Sequence, residues 1–346
     1  MNDLKILQAR QGAVVEQELA TSFDNDAVAL AAVQEQRLAI CDRSHWTLLR
    51  LTGEDRQTFL HNQTTNQIQL LQPGQGCETV FVNSTGRTLD LATVCAQADS
   101  LDVIASPGRN AALMTWLDRY LFPADRVELQ DCTGDFALFS VFGRPDLTGL
   151  DALNPDAVGN HCELEVAGVS VRAIAGTGLS APGYTLQVPI AQATTVWANL
   201  TEQGAVPFGQ TLWEHLRVLD GRPVPDAELT TDYNALEAGL WRAISFNKGC
   251  YIGQETIARL NTYQGVKQRL WGLRLPEEVA IGTPLMLADK TVGTITSISP
   301  GPAVEGMIAA LGYLKTKAGG PGLTVQAGDV AVQVCALSFI GHEYPT

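Results

Sequence analysis

Charge is scarce in this chain: Asp, Glu, Lys and Arg make up 17% of its 346 residues, while 45% are hydrophobic. Globular proteins average about a quarter charged, so the balance excludes both a disordered chain and a long coiled coil. Positive charge is scarcer still. There are 23 Lys and Arg against 37 Asp and Glu, a net −14, which argues against broad attachment to nucleic acid or to an anionic membrane. Long apolar runs are missing; the best candidate, residues 136–142, is interrupted by Ser140 and falls far short of a membrane span. The opening MNDLKILQARQGAVVEQE has acidic residues where a signal peptide carries an apolar stretch, so the expected compartment is the cytoplasm. The seven cysteines, at 41, 77, 95, 132, 162, 250 and 335, form no CxxC pair and no Cys/His cluster, so neither a disulfide framework nor a metal centre is expected. Most lie in apolar, strand-like stretches such as TVCAQ and VQVCAL, where a thiol behaves as a small core hydrophobe.

What is present is turn chemistry, with 32 Gly and 16 Pro, in a chain long enough for two or three domains. The first 35 residues read as helical. Strands are then expected near 46–51, 79–82, 89–94, 101–105 and 126–129, with helices from Gly53 to about residue 63 and from Pro107 to about 121. A similar order returns after residue 134: strands at 136–142, 169–174 and 184–188, and helices at 191–203 and 210–219. From residue 268 onward short strands alternate with Gly and Pro, which suits a small all-β module. The expected architecture is α+β, with two βαββαβ (ferredoxin-like) lobes over 1–133 and 134–264 and a C-terminal β-barrel over 265–346.

The window 236–269, LEAGLWRAISFNKGCYIGQETIARLNTYQGVKQR, contrasts with the rest. Residues 240–274 hold six cations and only Glu255 as an acid, a local +5. With Trp241, Tyr251, Tyr263 and Trp271 beside them, they suit a ligand with an aromatic ring system and an anionic tail, or equally a solvated basic face over core aromatics. Inside the window, KGCYIGQE sets two glycines around Cys250. Lys248 and a helix starting near Gly253 would favour its thiolate if both face the sulfur; an inert cysteine in a turn has the same spelling. GTGLSA at 176–181 matches the letters of a dinucleotide fingerprint, but Pro182-Gly183 blocks the helix that must follow. His45 and His61 have no sequence-near partner and read as structural.

KGCYIGQE resembles the signature of the YgfZ-type folate-binding proteins, relatives of the glycine-cleavage T protein, an aminomethyltransferase. DRSH at 42–45, LTGED at 51–55, Thr65-Asn66, PGQG at 73–76, Asn83 with Gly86, WLDRY at 116–120 and EAGL at 237–240 extend the resemblance over nearly the whole chain. It implies that the two lobes form a tetrahydrofolate-binding unit followed by the barrel, and that the protein, a monomer, supports assembly or repair of iron-sulfur clusters. Cluster-assembly or client proteins would be its partners, and enzymes such as tRNA-modifying ones would depend on it. Carried onto this chain, the resemblance implies Cys250 and Lys248 as the reactive pair, with Asn83, Asp90, Arg217, Glu237, Trp241, Tyr251, Gln254 and Glu255 around the folate. Arg217 would meet the glutamate tail, Glu237 the pterin donors and Asp90 a folate nitrogen. Three departures bear on the alternative, an aminomethyltransferase. T proteins carry Asp at the place of Cys250, an Asp pair where this chain has Asp90-Leu91, and a GEDGYE-like segment with a pterin-contacting Glu where it has SAPGYT at 180–185. A non-catalytic folate sensor or adaptor is the third reading.

Overall fold

A computed structural model describes residues 3–344. The elements in chain order are α1 (Asp3–Arg10), β1 (Val14–Glu16), β2 (Leu19–Ser22), α2 (Asp26–Gln34), β3 (Ala39–Asp42), β4 (Trp46–Thr52), α3 (Arg56–Gln63), β5 (Gly76–Val82), β6 (Thr88–Ala96), β7 (Ser100–Pro107), α4 (Asn110–Asp118), β8 (Glu128–Asp131) and β9 (Phe136–Phe142). They continue with β10 (His161–Val166), β11 (Val169–Ala175), β12 (Gly183–Pro189), α5 (Ala193–Glu202), β13 (Val206–Phe208), α6 (Gln210–Asp220) and α7 (Gln254–Thr262). The last strands are β14 (Gln268–Leu275), β15 (Pro284–Leu287), β16 (Lys290–Ile298), β17 (Ile308–Lys315), β18 (Thr324–Ala327) and β19 (Val330–Cys335). No helix among the described residues is long and apolar enough to cross a membrane.

The chain forms two compact units, each discontinuous in sequence: residues 1–61, 67–78 and 92–213, and residues 62–66, 79–91 and 214–346. In the first, a six-stranded sheet runs β10-β11-β12-β9-β3-β13, antiparallel except where β13 lies parallel to β3. Its core gathers Phe139, Val141, Leu186 and Val188 with the α5 stripe Ala193, Val196, Trp197 and Leu200, whose i, i+3, i+4, i+7 spacing turns one face inward. A five-stranded sheet follows the order β5-β6-β7-β4-β8. In the second unit, β14-β17-β16-β15-β18-β19 close into a barrel around Leu273, Leu285, Ile295 and Val332, and closure leaves no unpaired edge.

The α+β class and the C-terminal barrel match expectation, but the sheets have more strands than the four of a βαββαβ lobe. In particular, β3 from the first third of the chain is inserted between β9 and β13. The opening segment is not all helix: β1 and β2 form a hairpin there. Pro107 ends β7 instead of starting a helix, because Gly108 adopts φ +67 and α4 starts only at Asn110. The short strands β3, β13 and β18 offered too few alternating residues to be read, and β10, whose six residues do alternate, was missed.

Candidate functional site

All ten residues singled out above fall in the second unit. The segment Leu240–Glu255 gains its shape by contact with two pieces of chain far away in sequence. The first is 62–66. Thr65, fully buried, donates its hydroxyl to the Ala243 carbonyl at 2.6 Å and accepts from Val80 N–H at 2.9 Å, while Ser245 N–H reaches Thr65 O at 3.0 Å. Ile252 N–H reaches Asn62 O at 2.9 Å. The second piece is the turn between β5 and β6. There Asn83 Oδ1 accepts from Thr85 N–H (3.0 Å), Thr85 Oγ1 (2.8 Å) and Arg87 N–H (3.0 Å), an Asx-type closure that uses the side chain locally. The turn lies against Gly253, where a Cβ would sit 2.6 Å from Asn83 O and 2.9 Å from Gly86 Cα and N, and where φ is +79. The second glycine of KGCYIGQE is thus required twice over, for its backbone angle and for the approach of the turn.

Lys248 is buried, and two of its three N–H groups donate to Thr64 O at 2.6 Å and Asn66 O at 2.7 Å; its ammonium also lies 4.7 Å from the centre of the Tyr251 ring. It fastens the 62–66 segment. Burial pushes the Tyr251 hydroxyl up to about 12. Gln254 Oε1 accepts from Tyr251 N–H at 3.3 Å, folding back at the start of α7. Cys250 is exposed, as is Glu255 in the first turn of α7. The thiol therefore stands open to solvent, not in packed hydrocarbon. Asp90 is fully buried on β6, with Oδ1 accepting from Leu91 N–H at 2.8 Å.

Arg217 and Glu237 are engaged within the protein. Arg217 Nε donates to Glu214 Oε2 (2.8 Å), Nη1 to Arg222 O (2.9 Å) and Glu228 Oε2 (3.2 Å), and Nη2 to Ser297 Oγ (2.9 Å) and Glu214 Oε1. A guanidinium has five N–H donors, and these five acceptors leave none for a folate tail. Burial opposes the charge, yet Glu228 and Glu214 hold the pKa of Arg217 above its ordinary value. Glu237 forms a capping box with Asn234: its Oε2 accepts from Asn234 N–H at 3.1 Å, and Asn234 Oδ1 accepts from Glu237 N–H at 3.0 Å. Burial raises the Glu237 pKa, with the Asn234 N–H and Arg87 pulling it back.

Trp241 packs edge-on against Tyr344 (4.8 Å) and beside Phe246 (5.9 Å), and its Nε1–H is buried without a partner among the described residues. The C-terminal segment that brings Tyr344 is held by Gly341 N–H to Gly239 O at 3.0 Å and by His342 Nε2–H to Leu270 O at 2.8 Å. No spacing signal in the sequence links Trp241 to a tyrosine a hundred positions away. Arg217 and Lys248 have donors engaged within the protein, Glu237 caps its own segment, and Asp90 accepts from Leu91 N–H.

The sequence and the fold together define a class. The family model described as the GCVT N-terminal domain matches residues 3–248, and the chain belongs to that family. Over 99% of its length it is 38% identical to a chloroplastic protein of Arabidopsis thaliana named only as a transferase, 80% of which is covered. It is 30% identical to the aminomethyltransferase of Synechococcus elongatus, over 84% of this chain and 81% of that one. The crystal structure of the glycine cleavage system aminomethyltransferase T of Bartonella henselae has the same fold, with a TM-score of 0.81 over 99% of this chain and 98% of that one at 18% identity.

Proposed function

We propose that the chain binds a reduced folate and acts on a one-carbon group attached to it, as an aminomethyltransferase-type member of its family. The observation that carries this reading is the kinship with an aminomethyltransferase across 84% of the chain. Of the acid pair implied for that chemistry, Asp90 is the member this chain keeps, and its burial strengthens any hydrogen bond it makes to a folate nitrogen. With Leu91 in the second position and no acid in SAPGYT at 180–185, transfer is expected to be slow relative to a complete site. The test supplies tetrahydrofolate and an aminomethylated carrier and measures methylenetetrahydrofolate. Formation that is lost in Asp90→Asn supports the reading. Absence of tetrahydrofolate binding by calorimetry ends it.

A second reading is favoured by Cys250, an exposed thiol inside KGCYIGQE. On it the chain acts as a cytoplasmic monomer of the YgfZ type that supports iron-sulfur cluster assembly or repair, with cluster-assembly or client proteins as partners; the Arabidopsis relative is chloroplastic. Because the side chain is exposed, Cys250→Ala should leave stability within about 0.5 kcal/mol. Loss of rescue of cluster-dependent enzymes in cells lacking the protein, with folate turnover unchanged, supports this second reading. Full rescue removes it.

A further inference from the structure

The segment that follows β19 crosses the second unit and is attached in two different ways. Its first part is anchored by backbone and core. Phe339 N–H donates to Asp220 O at 2.9 Å and Gly341 N–H to Gly239 O at 3.0 Å. Phe339 is buried, with the Arg242 guanidinium 3.9 Å from its ring centre. A Cβ on Gly221 would lie 2.6 Å from Leu337 Cδ1, and one on Gly239 2.8 Å from Ile340 Cβ. Beyond Gly341 the attachment changes: among the described residues, no backbone-to-backbone hydrogen bond holds residues 342–344. Side chains hold them instead. His342 Nε2–H donates to Leu270 O at 2.8 Å, the Tyr344 hydroxyl accepts from Val266 N–H at 3.3 Å, and ring centres meet at 4.3 Å for His342 with Trp271 and 4.8 Å for Tyr344 with Trp241.

Three polar atoms are left over at this second part. The Nε1–H groups of Trp241 and Trp271 are buried without a partner among the described residues, and so is His342 Nδ1. The Leu270 carbonyl can only accept, so in the neutral ring that burial favours the proton sits on Nε2 and Nδ1 is a bare acceptor. A buried polar group without a partner carries a desolvation cost that it recovers in water. Lifting residues 342–344 therefore resolvates three atoms and gives up two hydrogen bonds, one of them long. Segments held in this way open well below the free energy of global unfolding. A pivot is at hand, since Gly341 is exposed and a Cβ there would meet nothing within 4 Å. Opening bares the Trp241 indole, whose N–H then needs an acceptor. We propose that residues 342–344 are a flap hinged at Gly341 that covers Trp241, and that a flat heteroaromatic ring with an acceptor at its edge takes the place of Tyr344 when the flap opens. Only the choice of ligand rests on the reduced-folate reading above.

Hydrogen exchange on the full chain reads the flap without any ligand. The Trp241 indole N–H should exchange at least about 100-fold faster than the Phe339 amide, at a rate that low urea leaves unchanged. Tyr344→Ala should speed that exchange about 2- to 10-fold, the strength of one ring contact, and tighten tetrahydrofolate binding by the same factor, because both report the open fraction. Equal exchange at Trp241 and Phe339 with the same urea dependence overturns the flap. Tetrahydrofolate bound equally by the two proteins overturns the gating of Trp241 and leaves the folate reading standing. Binding by neither ends the folate reading, and the exchange rates then decide the flap.

Discussion

Replacing Lys248 with Met removes an ammonium that donates to Thr64 O at 2.6 Å and Asn66 O at 2.7 Å, and keeps an unbranched side chain against Tyr251. Hydrogen bonds to a charged group contribute about 1.5–3 kcal/mol each, so the two together reach about 3–6 kcal/mol. Each carbonyl keeps a second lone pair and can recruit water, and the apolar contact survives, which recovers roughly a third to a half; the expected net loss is about 2–4 kcal/mol. Urea unfolding followed by tryptophan fluorescence and far-ultraviolet circular dichroism measures it, provided the slope with denaturant is unchanged. Lys248→Arg should not restore the loss, because a planar fork spreads its donors differently from a compact ammonium. A Met variant as stable as wild type, yet unable to bind tetrahydrofolate, would refute the reasoning and return Lys248 to the reactive set.

Three further outcomes follow from the same geometry. Gly253→Ala combines a left-handed backbone with a Cβ 2.6 Å from Asn83 O, and should lose about 2–5 kcal/mol; a melting temperature within a degree of wild type would contradict the packing. Arg217→Met leaves the fully buried Glu228 with hydroxyl and N–H partners but no cation, and should cost about 3–5 kcal/mol. Unchanged stability with weakened folate binding would instead make the guanidinium a ligand group. Burial lowers the pKa of His45 and of His342 to about 4, so between 6.5 and 4 the native state binds fewer protons than the unfolded chain, and these groups make stability fall as pH drops through that window. His342→Gln should be less sensitive than wild type between pH 7 and pH 5 in chemical denaturation; parallel losses in the two proteins would exclude the contribution.

Periodicity made α5 and α6 legible, because one apolar stripe must face a core whatever the core is. It failed for β3 and β13, three- or four-residue strands whose place is set by partners: β3 is held by β9 on one side and β13 on the other. All five strands of the other sheet were expected, so of the two sheets only the six-stranded one held unread strands. Within the signature, the glycines and the thiol could be read as a positioned loop, and Cys250 does stand exposed. Arg217 and Glu237 could not be assigned. Their acceptors and donors lie on Glu214, Arg222, Glu228 and Ser297 in one case and on Asn234 in the other, and a sequence does not tell which of several polar neighbours a long side chain will meet.

The amino-acid string alone determined the α+β class and the β-rich C-terminal module, since these depend on local spacing and residue identity. Tertiary structure alone decided which partners the candidate side chains meet within the protein. Burial forces every charged group to find a partner, and the partners of Lys248 and Arg217 come from chain segments as much as 184 residues away.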